Sequence, residues 1–186
     1  MFGLGKLFSS RGREAKNKET KPKTGVQLLG AMLVCYPEIA TVAYDPKDGQ
    51  LVLGFVVREP LPERRELEEF AALLDESVQA YHELVESQLV WTAVDVEAHN
   101  NTLVLHVRRS LADFMRGELE LLGTLMRDRF GGQLVVDKHS PENLEPDFAD
   151  LQSELLDQML ECVQEAAIRE RIIGLRENDR VVVYNR

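Results

Sequence analysis

Apolar residues along this chain of 186 residues recur with two different periods, and the switches between them divide it into elements. Val26 to Tyr36 reads as a helix. Ile39 to Tyr44 and Leu51 to Val57 read as strands around the turn Asp45-Pro46-Lys47-Asp48-Gly49. A second helix begins at Pro62, with Leu67, Phe70, Leu74, Val78, Tyr81 and Val85 at spacings of three and four on one stripe. Val90 to Val96 and Thr102 to Arg108 then flank His99-Asn100-Asn101, where asparagine tolerates a left-handed turn position. An offset of 52 positions superposes Val26-Gln27 on Val78-Gln79, Val42 on Val94, and Leu51-Val52-Leu53 on Leu103-Val104-Leu105. Helix, turn and second strand stay in step, as a repeated helix-plus-hairpin unit would require.

A third helix is expected from Ser110, whose hydroxyl is placed to cap the first turn with Asp113 three residues on. It carries Leu111, Met115, Leu119, Leu122 and Met126 and ends at Gly131-Gly132, before a short strand over Leu134 to Asp137. Ser140 to Asp147, with Pro141 and Pro146, is a connector leading into the last helix. Ile172 to Arg176 and Arg180 to Asn185 pair around Glu177-Asn178-Asp179 as a final hairpin. Strands joined by short turns imply antiparallel ladders. The predicted fold is α+β, with repeated helix-plus-β-hairpin units and helices packed on one face of a mainly antiparallel sheet.

The last helix has two apolar stripes, one through Phe148, Leu151, Leu155, Met159, Cys162 and Ala166, the other through Leu156, Leu160 and Val163. Together they exceed the single stripe of an ordinary surface helix. The expectation is that the first set faces the core, while Leu156, Leu160 and Val163 are left outward as an interface for a protein partner or a second copy.

Charge changes this picture at the amino terminus. The formal net charge is −10, yet residues 1–24 hold seven basic side chains (Lys6, Arg11, Arg13, Lys16, Lys18, Lys21, Lys23) against Glu14 and Glu19. That surplus of five leaves fifteen basic and thirty acidic residues for 25–186. From Ser9 to Thr24 the only apolar residue is Ala15, so this stretch has little to bury and is expected to be a flexible basic arm preceding a single domain, with a sub-boundary near 139–146. Phe2, Leu4, Leu7 and Phe8 at its head form a candidate membrane contact, with lysines behind them suited to anionic lipid. The acidic body repels phosphates and argues against nucleic acid as a partner. Thr24 to Pro37 is too short to span a bilayer and lacks the small residues of a signal cleavage site, so export is not expected. Cys35 and Cys162 lie in apolar helical stretches without a CxxC, which fits a reducing, cytoplasmic setting, either free in solution or at the membrane periphery.

Candidate chemistry is sparse. His82-Glu83-Leu84-Val85-Glu86 imitates the first half of the HExxH zinc motif but lacks the second histidine. His82 lies beside the apolar stripe, so a solvated His-Glu pair is expected. Asp45, Asp48 and Gly49 lack the alternating ligands of a calcium loop, Gly3-Leu4-Gly5-Lys6 lacks the spacing of a phosphate loop, and there is no GxSxG. No cofactor or metal is expected. The one enzyme-like grouping is Trp91, Asp95, Glu97 and His106 on the strands of the second hairpin, a candidate pocket if they converge and a solvated sheet face if they do not. Arg108, Arg109, Arg116, Arg127 and Arg129 concentrate positive charge around the third helix, where Glu118, Glu120 and Asp128 are the expected partners at the surface.

The helix, hairpin, helix, hairpin, helix order over residues 25–130, with the acidic balance, looks like the small acidic chaperones of type III secretion, a likeness of element order that no motif carries. The expected function is a non-catalytic acidic binding or adaptor protein working through protein-protein contacts. A peripheral membrane protein tethered by its basic arm and a small enzyme with a pocket near the second hairpin are the alternatives.

Overall fold

A computed structural model describes residues 21–85, 88, 90–137, 146–166, 168–177 and 180–185. Helix α1 spans Lys21–Cys35 and leads into the hairpin β1 (Thr41–Asp45) and β2 (Gln50–Arg58). Helix α2 (Arg64–Leu84) leads into the hairpin β3 (Ala93–His99) and β4 (Thr102–Ser110), and a 3-10 turn over Leu111–Asp113 precedes α3 (Arg116–Phe130). Helix α4 (Pro146–Glu165) is followed by a third hairpin, β5 (Ile172–Glu177) and β6 (Arg180–Asn185). The strands form one six-stranded sheet in the order β3-β4-β2-β1-β5-β6, with every described pairing antiparallel. The α+β class and the antiparallel sheet are as the periodicity predicts.

Local sequence accounts for the hairpins. Gly49 takes a φ of +64° in the first turn and Asn100 a φ of +49° in the second, conformations costly for most side chains. Strands β2 and β4 pair along their whole length, with Gly54 opposite His106.

Alternation along the strands then selects an inner face. Val42, Tyr44, Leu51, Leu53, Phe55, Val57, Leu103, Leu105, Val107 and Ile172 are buried, and they join Leu28, Leu29, Met32 and Leu33 of α1, Phe70, Leu74 and Val78 of α2, and Leu119, Leu122 and Met126 of α3 in one core. Helix α1 lies close over β5 because Gly174 has no side chain: a Cβ there would come 2.9 Å from a methyl of Leu33.

Three boundaries and one helix rotation differ from expectation. Helix α1 begins at Lys21, so the division at residue 24 falls inside it. The apolar pattern marks where burial starts, and a helix backbone extends a turn beyond that point. Ser110 ends a strand rather than opening α3, because it pairs with Gln50 and the next amide, that of Leu111, donates to the Gly49 carbonyl. The predicted strand at Leu134 reduces to a single bridge with Val57.

In α4 the two stripes are exchanged. Leu156, Leu160 and Val163 are 1%, 4% and 3% exposed and belong to the core, whereas Leu151 and Leu155 are 61% and 50% exposed and Cys162 is exposed as well. The rotation is set by polar neighbours. Arg116 of α3 holds Asp157 through Nε at 3.0 and 3.1 Å, and the Gln164 amide donates to the carbonyls of Leu111 and Phe114 at 3.0 and 2.8 Å. With those side chains fixed toward α3, the stripe beside them turns inward. Leu156, Leu160 and Val163 are therefore internal side chains, and the interface expected of them is withdrawn.

Candidate functional site

The residues nominated as a pocket are brought near one another but on an open surface. Asp95 of β3 stands opposite His106 of β4, on the sheet face away from the helices. Asp95 pairs with Arg108 at 2.6 Å, and Glu97 approaches His99 at 3.0 Å and His106 at 3.4 Å. Both carboxylates are more than half exposed, so water screens them and nothing here desolvates a group for acid or base work. Trp91 precedes β3 with its ring half exposed, and its carbonyl is turned inward to accept from Arg109 at 2.7 Å. The arrangement is a solvated ladder of paired charges.

The unusual chemistry is inside. His82, Arg109 and Glu118 are 0% exposed. Arg109 extends from the inner face of β4, Glu118 from the first turn of α3 and His82 from the last turn of α2. The Glu118 carboxylate accepts from Arg109 Nε at 2.6 Å, from Arg109 Nη2 at 3.2 Å and from the Met115 amide at 3.1 Å, and lies 2.8 Å from His82 Nε2. A fully ionised carboxylate can only accept, so His82 Nε2 carries its proton toward Glu118. The 3.4 Å approach of Arg109 Nη2 to the same nitrogen is then two donors sharing one acceptor. The predicted solvated His-Glu pair on α2 is corrected: tertiary packing turns His82 inward, where Glu118 is its partner. Arg109 does pair with Glu118 as expected, but in the core. This network ties three elements together and offers a substrate no approach.

One further buried ion, Glu38, and one partly buried, Arg176, stitch the other half. Glu38 is buried with its carboxylate against the Gly123 backbone and accepts from Arg127 Nη1 at 2.8 Å. Arg176 of β5 holds Asp137 at 2.5 Å and donates to the carbonyls of Leu33, Tyr36 and Ile39, closing the carboxyl end of α1. Burial pulls the Arg176 pKa down from its ordinary value, while Asp137 opposes that pull. The Tyr36 hydroxyl, beside Arg116, is pushed well above the ordinary tyrosine range by burial and by the Glu120 carboxylate.

The remaining candidate surface is the outward face of the sheet. By register, Val104 stands beside Val56, Val52 beside Ala43, Ala43 beside Ile173, Ile173 beside Tyr184, and Thr41, Leu175 and Val182 continue across β1, β5 and β6. These residues are only partly covered, Tyr184 is 48% exposed, and none of them belongs to the core cluster. The sequence holds a signal for them that alternation obscures. Runs such as Leu51-Val52-Leu53-Gly54-Phe55-Val56-Val57 and Val181-Val182-Val183-Tyr184 are apolar on both faces.

Among the described residues no group of His, Cys, Asp and Glu is arranged to hold a metal ion, and no described helix is long and apolar enough to cross a membrane. Phe2, Leu4, Leu7 and Phe8 lie outside the described residues. Compared with protein-family models, curated proteins and solved structures, the chain finds no match.

Proposed function

We propose that this protein is a non-catalytic binding protein that holds a protein partner against the outward face of its sheet. One observation carries the reading: strands β2, β1, β5 and β6 present a connected apolar surface on the side opposite the helices. Partly exposed apolar area of that kind on a chain of net charge −10 is a liability unless something covers it. At a strand spacing of about 4.8 Å and a rise of about 3.4 Å per residue, these four strands offer on the order of 400 Å², about half of one side of a standard specific interface. The buried ion network supports the same reading, because it stiffens the scaffold without exposing a reactive group. An acid-base site near the second hairpin is a weaker reading, since Asp95, Glu97 and His106 are spread over wet surface.

The test places a photo-crosslinking residue at Val52 of the full chain, identifies the cross-linked protein by mass spectrometry, and reconstitutes the pair from purified components. Replacing Leu175 and Val182 by glutamate, positions already partly wet, should preserve cooperative melting and weaken the reconstituted complex by at least about tenfold, since interface cores tolerate charge poorly. A cross-link to the chain itself, with a doubled mass in light scattering, would identify the partner as a second copy. Equal affinity of parent and double variant would overturn the reading.

A further inference from the structure

Helix α4 carries, on the side turned away from the core, two parallel stripes of different chemistry. Leu151, Leu155 and Cys162 form an exposed apolar line, and Glu154, Glu161 and Glu165 form an exposed acidic line beside it, all within about a third of the helix circumference at 100° per residue. The helix as a whole has six acidic residues and no basic one. Of the six, Asp157 is held by Arg116, and the three glutamates of the outer line face solvent.

The chain has a segment whose chemistry is the complement of this face. Residues 1–20 place Met1, Phe2, Leu4, Leu7 and Phe8 in a short apolar head, followed by Arg11, Arg13, Lys16 and Lys18. Its point of attachment is also suitable. Gly25 in α1 is in contact with Ile168 and Ile172, the residues that follow α4. At the other end Arg116 lies beside both Tyr36, just past α1, and Asp157, midway along α4. The two helices therefore run antiparallel, and the segment before Lys21 starts near the Glu165 end of α4. From there to Leu151 is fourteen residues of helix, about 21 Å, whereas twenty residues of chain reach up to about 65 Å. The tether makes the encounter intramolecular, which raises the effective concentration to roughly the millimolar range.

We propose that residues 1–20 dock in cis along the outward face of α4, with the apolar head on Leu151, Leu155 and Cys162 and the basic residues along Glu154, Glu161 and Glu165. Docking covers the half-exposed leucines and neutralises the acidic line. Because part of the attraction is between exposed charges, it weakens with salt.

Cys162 reports the state of this face directly, since its thiol is exposed when the arm is away. In the full chain with Cys35→Ala, the rate of N-ethylmaleimide addition to Cys162 is measured for the parent, for Phe2→Ser with Leu4→Ser, Leu7→Ser and Phe8→Ser, for Glu154→Lys with Glu161→Lys and Glu165→Lys, and for the two sets combined. Docking predicts a parent slower by at least about fivefold than either set, a combined variant no faster than either alone, and acceleration of the parent by 0.5 M salt. The salt arm needs no substitution and stands even if a variant melts without cooperativity. Equal rates in parent and variants overturn the proposal. So does a rate that falls with protein concentration, which would place the arm on another copy. Binding of the parent to anionic vesicles with no difference in Cys162 rate between parent and head variant overturns it in favour of a lipid tether.

Discussion

Replacing Glu118 by glutamine tests whether the buried network holds the second hairpin to the helices. The carboxylate is fully buried and receives Arg109 Nε at 2.6 Å, Arg109 Nη2 at 3.2 Å and the Met115 amide at 3.1 Å, with His82 Nε2 at 2.8 Å. An amide keeps the shape and one acceptor oxygen but removes the negative charge, so the buried Arg109 guanidinium loses its close counter-ion and keeps only the Asp113 carboxylate at 3.7 Å. Breaking one partner of a buried pair costs about 3–5 kcal/mol. Set against a total stability of about 5–15 kcal/mol, that is a loss of roughly a fifth or more. For a domain of this size it corresponds to a fall in Tm on the order of 10 °C. Urea titration followed by circular dichroism gives the free energy, provided the transition is two-state. The companion variant Arg109→Met with Glu118→Leu removes both charges and fills the space. It should cost clearly less than the two single changes added together, and the residual cost, about 1–3 kcal/mol, is that of leaving the His82 donor and the Met115 amide without an acceptor. A Glu118→Gln loss below about 1 kcal/mol, or a double variant as costly as its parts combined, would refute the view that charge compensation in the core is what holds these elements together.

Helix α4 and Tyr36 give two further expected outcomes. Leu156→Glu with Leu160→Glu should abolish cooperative melting, since both side chains are internal and even truncation to alanine costs about 2–5 kcal/mol each, whereas Leu151→Glu with Leu155→Glu should melt within a few degrees of the parent; the opposite ranking by calorimetry would mean α4 is rotated as its first stripe suggested. Tyr36→Phe should flatten the alkaline loss of stability. Tyr36 has its pKa raised above the ordinary value of 10.0 by burial and Glu120, so the folded state keeps its proton where the unfolded chain has lost it, and the contribution is complete below pH 10.0 and declines above it. Denaturant midpoints at increasing pH above 10 should therefore fall less steeply in the variant, and parallel slopes would contradict the assignment.

Element order, hairpin turns and fold class were legible because each depends on neighbours in sequence. Asp45-Pro46-Lys47-Asp48-Gly49 and His99-Asn100-Asn101 place turn-forming residues between strand periods, and the spacings of α2 mark one buried stripe through Leu67, Phe70, Leu74 and Val78. The acidic body and basic first twenty-four residues were equally open to inspection. Position in three dimensions was not. A helix with two apolar stripes does not say which one is covered, and in α4 the choice was made by Arg116 and Gln164, whose partners are forty or more residues away. His82 looked like a surface residue beside its stripe because its partner, Glu118, belongs to another helix. Arg109 looked like one of several surface arginines because long-range packing, not local pattern, placed it inside. Burial of a charge is decided by whether a counter-ion arrives from elsewhere in the chain, and periodicity carries no record of that. The same holds for the sheet's second face: Val52, Val56 and Val182 are apolar in the sequence, but only the arrangement of helices on one side decides that they remain uncovered on the other.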